Sequence, residues 1–343
     1  MSGRDQAPNC AARLDNSPVG EFELLERLRR RLPPAAAPIV VGVGDDAAVS
    51  VPGGATATSV DAIVDGVHFR RGDVSLRLVG RKGLAAALSD LAAMGAGPGE
   101  AYVVLGVPED LDEDQCLELL DGIEAVAEET GTALAGGDIT RSPVLSLAFT
   151  VVGHAADPAR LVTRGGGRAG DLLVLTGEIG AAAAALLLED PDFGAALPQA
   201  VGKRLRSRLV DPAPRLAEGA ALASAGATAM IDLSDGLGGD AGHIAEESGI
   251  ALSIDAAALP VAAGVSEVAE AAGKDPLELA SGGGEDYELL ACLPEQRLEE
   301  ASRAVGAAGT PLTVIGEART GSGVEIRLPD GRVLEPRGYD QLR

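Results

Sequence analysis

The sequence predicts an α/β (α+β) chain of two domains of similar size, each a mixed sheet with packed helices. Three observations carry this. The chain has 343 residues, about two domains' worth. Short β-branched runs alternate with amphipathic stretches along its whole length, and both halves also hold antiparallel-looking stretches. The composition, 46% hydrophobic and 23% charged, is ordinary globular usage and excludes wholesale disorder. Aromatics make up 2% with no Trp, so Ala, Val, Leu and Ile must build the core.

In order, residues 1–17 read as a polar, disordered tail and 18–155 as the first domain. Glu21 to Leu32 sets Phe22, Leu25, Leu28 and Leu32 at helical spacing, and Pro33 and Pro34 stop it. Pro38 to Val43 is a strand ending in Gly44-Asp45-Asp46, and Ala55 to Val60 is a second ending at Asp61. Ser75 caps a long helix that runs to about Met94 and stops at Gly95. Leu117, Leu120, Ile123 and Ala127 mark another helix, closed by Gly131. A strand stops at Gly136-Gly137-Asp138, Val144 to Val152 is a further strand, and Gly153 to Pro158 reads as a linker.

Residues 156–343 form the second domain. Asp171 to Thr176 and Ala227 to Leu233 read as strands, with helices at Gly180 to Leu188, Arg215 to Ala225 and Leu237 to Ser248. Strands at Ile250 to Ile254 and Asp286 to Cys292 precede short ones near Leu312 to Ile315, Val324 to Leu328 and Arg332 to Leu334.

The balance of 28 Lys+Arg against 52 Asp+Glu gives a net charge of −24. That charge repels phosphate backbones, which excludes a general nucleic-acid binder, and suits a protein that holds divalent cations. Cys10, Cys116 and Cys292 are few and far apart, so neither a disulfide framework nor a structural zinc site is expected. The N-terminus lacks an apolar signal core, and runs such as Ala181 to Leu188 are too short to span a bilayer. A cytoplasmic protein without membrane contact is the expectation.

No Walker A loop is present, because neither Gly202-Lys203 nor Gly273-Lys274 fits it. GGGRAG (165–170) precedes a strand rather than a helix. GVGDDA (42–47) would set two carboxylates against a pyrophosphate, so a Rossmann reading fails. No Ser-His-Asp or Cys-His arrangement is legible, and candidate sites lack His and Lys. Aspartate recurs instead at strand ends beside glycine: Asp45-Asp46, Asp61, Asp138, and Asp232 with Asp235. Asp and Gly also form ordinary turns, so each of these alone reads first as a turn residue. Asp90 resists that reading, because it lies in an apolar helix among Leu88, Leu91 and Met94. Carboxylates converging without basic partners need cations, and Mg²⁺ shares hard oxygen ligands with substrate phosphates. The pattern points to an acidic, Mg²⁺-bridged nucleotide site. Asp65, Asp240, His154 and His243 read as structural.

The strings GVGDDAAV (42–49), SVDAIVDGVHF (59–69), SDLAAMGAGP (89–98), GGDITR (136–141), LVTRGGGRAGD (161–171), IDLSDGL (231–237) and SGGGEDYEL (281–289) follow in this order. Together they resemble the thiamine-monophosphate kinases, a family of the aminoimidazole-ribotide synthetase-like ATP-binding superfamily. The resemblance runs from about Gly20 to the GYD string at 338–340. It implies an aminoimidazole-ribotide synthetase-like fold and a reaction in which ATP phosphorylates thiamine monophosphate to thiamine diphosphate. It further implies direct in-line transfer, several Mg²⁺ ions and a homodimer formed by the first domains. By the same resemblance Asp46, Asp61, Asp90, Asp138, Asp232 and Asp235 are Mg²⁺ ligands. Ser59 and Val60 also fall at ligand positions, and Val60 departs from the hydroxyl residue often found there, leaving only its backbone oxygen. Gly137, Asp138, Arg164 and Ser234 would meet ATP, and His68, Glu285 and Tyr339 the thiamine phosphate.

Residue chemistry agrees. A phosphate monoester, with a second pKa of about 6, is already a nucleophile at neutral pH and needs no general base. The obstacle is bringing two polyanions together, which Mg²⁺ removes. Two alternatives stand beside this reading. One is another enzyme of the superfamily, resembling selenophosphate synthetases or hydrogenase-maturation dehydratases. Cys10 lacks the Gly-rich loop expected of the former, and the chain's closing Gln341-Leu342-Arg343 lacks the cysteine expected of the latter. The other is a catalytically silent nucleotide- or thiamine-phosphate-binding protein.

Overall fold

A computed structural model describes residues 30–32, 37–41, 48–189, 198–336 and 338–339. The expected tail, most of the 21–32 helix and Asp45-Asp46 lie outside them. The architecture is α/β (α+β), with two mixed sheets and packed helices.

A two-stranded ribbon, β1 (Ile39–Val41) and β2 (Val49–Ser50), precedes the first sheet. That sheet holds β3 (Ala55–Val64), β4 (Gly97–Val107), β5 (Ala133–Arg141) and β6 (Ser146–Ala155) in the order β3-β6-β4-β5. Only β4 and β5 run parallel, because the connection between them crosses over through a helix. Two helices cover one face, α1 (Leu76–Ala93) and α2 (Glu113–Thr130). The Ser75 side chain caps α1, and Gly95 follows it with φ +65°. Asp112 and Gln115 form a capping box on α2, and left-handed Gly131 ends it. The helices touch backbone to backbone at Gly80 and Gly122, where any Cβ would strike the carbonyl of Leu119 or Arg77.

Strand alternation divides the sheet's residues between its faces. Ile63, Leu105, Leu147, Phe149 and Val151 are buried under the helices. The register sets Ala62, Ala148, Val104 and Asp138 in one row on the opposite, open face. Val60 shares that face and is 69% exposed, and Val104 is 44% exposed.

The second sheet holds β7 (Leu172–Thr176), β8 (Ala229–Asp232), β9 (Ala251–Asp255), β10 (Leu289–Leu293), β11 (Leu312–Arg319), β12 (Gly323–Arg327) and β13 (Val333–Leu334). Its order is β13-β12-β9-β11-β7-β10-β8, antiparallel except for β12 beside β9. Among the described residues the helices of this half are α3 (Ala181–Leu187), α4 (Gln199–Val210), α5 (Leu216–Ala225), α6 (Leu237–Ser248), α7 (Val265–Ala271), α8 (Pro276–Gly282) and α9 (Leu298–Ala307). Ile231, Ile244, Leu252 and Ile254 pack together on one side of the sheet. On its other side, Met230 and Leu289 join Leu88, Leu91 and Leu222 in one apolar cluster. The hydrophobic core therefore runs from the first half into the second. Backbone contact reinforces it: a Cβ on Gly219 of α5 would strike the Ala92 carbonyl of α1. Fully buried Glu288, just before β10, is held by Arg208 of α4, by Arg215 at the N-cap of α5 and by the Thr176 hydroxyl of β7.

Several elements differ from expectation. β3 runs through Asp61, which pairs with Phe149, because the alternation continues to Val64. β5 runs through Gly136-Gly137-Asp138, where a Cβ on Gly137 would strike the Val103 carbonyl, so the glycine permits close strand approach rather than a turn. β6 continues to Ala155 and absorbs half of the expected linker, and Asp157 caps a short turn over Pro158–Arg160. β10 begins only at Leu289, because Glu285 and Tyr287 hold φ of +65° and +51°, outside strand geometry. Four helices, α4, α7, α8 and α9, were not expected, although Val201, Leu205 and Leu209 on α4 and Leu298, Ala301 and Val305 on α9 stand at helical spacing. Among the described residues no helix is long and apolar enough to cross a membrane.

Candidate active site

One face of α1 organises the site. Ser89 and Asp90 follow Lys82 by seven and eight residues, two helical turns, so all three share a face. The Ser89 hydroxyl donates to Asp232 Oδ2 at 2.7 Å, joining α1 to the end of β8. Asp90 Oδ2 accepts the Ser59 hydroxyl of β3 at 2.5 Å. Lys82 Nζ lies 2.8 Å from Glu285 Oε1 and donates to the His68 carbonyl at 3.3 Å. A groove of about 700 Å³ runs between the halves, lined by Ser59, Asp90, Arg164, Asp232 and Glu247 among others.

The carboxylates here raise one another. Burial pushes Asp232, 4% exposed, up to about 7, and the Asp90 charge adds to it against the Ser89 hydrogen bond and Arg164. Burial also raises Asp61, with Asp90 and Glu285 adding to it, while the Ala62 N–H and His68 oppose. Asp240 is pushed up to about 8 by burial and by the charges of Asp232 and Asp235. The Tyr287 phenol stays protonated well above the usual range, through burial and then Glu285, Asp61, Asp232 and Asp90.

Three loops frame the groove. Ser248 accepts the N–H groups of Gly166 and Gly167 and donates to the Arg164 carbonyl, fixing the Gly-rich turn after Arg164. The loop after β8 is folded by Asp240, which accepts the N–H groups of Asp235 and Gly236. The Gly283-to-Glu288 loop zips onto it, Glu285 N–H to the Ser234 carbonyl at 2.8 Å and Tyr287 N–H to the Leu233 carbonyl at 2.9 Å. Tyr339 N–H donates to the Asp235 carbonyl at 2.9 Å, while the residue is 65% exposed.

The structure thus brings Ser59, Asp61, Asp90, Arg164 and Asp232 together, with His68 and Glu285 linked through Lys82. Ser234, Asp235 and Tyr339 sit on the adjoining loops. Within one chain Gly137 and Asp138 do not join them. They lie on β5, three strands from β3 and roughly 14 Å away, with Asp138 on the open face and Asp61 on the helix-covered one. The Val60 side chain also points from the open face. Asp46 lies outside the described residues.

The expectation that the site lacks lysine is corrected by Lys82. Its side chain is 5% exposed, and its Nζ finds partners in the Glu285 carboxylate and the His68 carbonyl. Ser89, Ser248 and Tyr287 were also not singled out from the sequence. The spacing of Lys82 with Asp90 on one helix face was the available signal.

Among the described residues no three His, Cys, Asp or Glu side chains are set to hold a metal unaided. The donor set nonetheless suits Mg²⁺, which binds through one or two carboxylates plus substrate phosphates rather than in a protein cage. Mutually repelling acids faced by one arginine and one already paired lysine are what such an ion relieves.

Two family models match the chain, the N-terminal domain of AIR synthase related proteins over residues 44–155 and the C-terminal domain over 168–329. A thiamine-monophosphate kinase of Mycobacterium tuberculosis is 38% identical over 280 residues, 80% of each chain. The Escherichia coli K12 thiamine-monophosphate kinase is 35% identical over 338 residues, 94% of this chain and 98% of its own. A solved structure described as AaThiL complexed with AMPPCP and TMP superposes with TM-score 0.74 at 30% identity, covering 93% of this chain and 96% of its own.

Proposed function

The chain belongs to the AIR synthase related proteins and, within them, to the thiamine-monophosphate kinases, and from that membership we propose that it transfers the γ-phosphoryl group of ATP directly onto thiamine monophosphate, Mg²⁺-assisted and in line. The observation that carries the reading is the meeting of Asp61, Asp90 and Asp232 across the groove, with Arg164 as their cationic neighbour. Asp61, Asp90 and Asp232, with Ser59, Asp46 and Asp235, are the residues that would hold Mg²⁺, whose chemistry is charge neutralisation between two polyphosphates. Arg164 and Ser234 face the nucleotide, and the Ser248-braced glycine turn sets Arg164 in place.

His68 Nδ1 accepts the Val64 N–H at 3.1 Å, so the neutral imidazole carries its proton on Nε2 and acts as a donor. A donor binds the acceptor phosphate and takes no proton from it, as a monoester requires. Glu285 receives the cationic end of thiamine monophosphate, and Tyr339 covers it. ADP release should require both Mg²⁺ and thiamine monophosphate. Release at wild-type rate in excess EDTA, or with no acceptor present, would remove the reading.

We further propose a homodimer joined through the open sheet faces, in the cytoplasm, with 18–155 and 156–343 as the two domains. Exposed Val60 and Val104 give that face apolar area to cover. A second copy there also explains why Gly137 and Asp138 lie away from their own chain's groove: each chain would lend them to its partner. The buried free thiols Cys116 and Cys292 suit a reducing compartment.

A further inference from the structure

Lys82 is the residue that neither composition nor motif assigns. It sits in the first half, yet its ammonium is buried between two acceptor positions contributed by different elements. One contact is the carbonyl of His68, in the turn after β3, at 3.3 Å. The other is the Glu285 carboxylate of the second half, at 2.8 Å. Glu285 itself holds a left-handed backbone, φ +65°, which a side chain of its size adopts only when its surroundings enforce it. Stability alone gives no reason to bury Lys82 against a half-buried carboxylate, because an apolar side chain of similar volume packs as well. Lys82 and Asp90 also lie on one face of α1, roughly 12 Å apart along its axis, so one helix carries both the Glu285 contact and the groove-lining Asp90.

We propose that Lys82 is the positioning residue of the acceptor subsite: it aims the Glu285 carboxylate and the His68 turn at the acceptor and holds both in register with Asp90. The inference rests on the acceptor site proposed above. Removing the ammonium leaves Glu285 unanchored, so the acceptor loses affinity while the nucleotide end is untouched.

The test compares steady-state kinetics of Lys82→Met, Lys82→Arg, Glu285→Gln and the Lys82→Met/Glu285→Gln pair, with thermal melts of each. Lys82→Met should raise KM for thiamine monophosphate by about 10- to 100-fold, leave KM for ATP within about twofold, and lower kcat much less. Lys82→Arg should recover part of the loss. The double variant should bind the acceptor no worse than the weaker single variant, because both changes remove one device. If Lys82→Met does not fold, Lys82→Gln takes its place in the comparison. An unchanged or lowered acceptor KM, additive losses in the double variant, or equal increases in both KM values would overturn the assignment. Wild-type protein that turns over no thiamine monophosphate would instead overturn the function itself, and direct calorimetric binding of that compound to wild type and Lys82→Met separates the two failures.

Discussion

The Ser89 hydroxyl, on a helix of the first half, donates to Oδ2 of Asp232, the last residue of a strand in the second, at 2.7 Å. The bond is buried and lies beside Asp90, whose charge raises Asp232. It therefore does two things: it fastens the halves beside the groove, and it opposes the upward shift that burial and Asp90 impose on Asp232.

Ser89→Ala should lower both stability and turnover. The alanine leaves a buried acceptor without its donor, worth about 1–3 kcal/mol. Denaturant unfolding and Mg²⁺ titration of activity check this together. The variant should need more Mg²⁺ for half-maximal rate, because Asp232 would hold its proton more strongly. A Tm and Mg²⁺ requirement equal to wild type would contradict it.

If each chain lends Asp138 to its partner, two inactive variants should repair one another. Asp138→Asn and Asp90→Asn homodimers should each lose about 10²–10³ in rate. Mixed and re-equilibrated in equal amounts, they should regain about a quarter of wild-type activity, one sound site in each heterodimer and half the dimers mixed. Activity that stays at the level of the separate variants would show that Asp138 does not act across the interface.

Asp286 offers a test of stability against pH. Burial pushes its carboxyl up to about 7, against the Gly180 N–H that it accepts at 2.8 Å. In the unfolded chain it ionises near its ordinary value, about 4. Between these values the folded state binds more protons, so this group's stabilisation is complete at low pH and is lost as pH rises through about 7. Asp286→Asn removes the titration. Wild type should lose on the order of a few kcal/mol relative to the variant between about pH 4 and 8. Urea midpoints at both ends measure it, and parallel pH profiles would refute it.

Free thiamine should not be phosphorylated. Its terminal alcohol is barely ionised at neutral pH and needs a positioned base. His68 Nδ1 is occupied by the Val64 N–H, which leaves a donor where a base would be required. Turnover of thiamine comparable to that of its monophosphate, at equal concentration, would contradict this mechanism.

Much of this arrangement was legible because its signals are local. Ser75, Gly95 and Gly131 announce ends of α1 and α2. Asp90 betrays itself as a charge in an apolar helix. What the sequence hides is pairing at a distance. Asp61 and Asp138 look alike, each an aspartate within a β-branched or glycine-rich run, yet sheet register puts them on opposite faces. Lys82 reads as an ordinary helix charge until Glu285, two hundred residues further on, arrives beside it. The left-handed backbones of Glu285 and Tyr287 are likewise imposed by the loop they zip onto, not by their own preferences.

The central claim is a single, direct transfer onto thiamine monophosphate, and its most direct measurement is stereochemical. The substrate is ATP made chiral at its γ-phosphorus with isotopic oxygen and sulfur, supplied with Mg²⁺ and thiamine monophosphate, and the configuration of the terminal phosphorus of the thiamine diphosphate is read. One in-line displacement inverts that centre, and inversion is the predicted result. Retention would mean two displacements through a phosphorylated residue of the protein, and it would contradict the account.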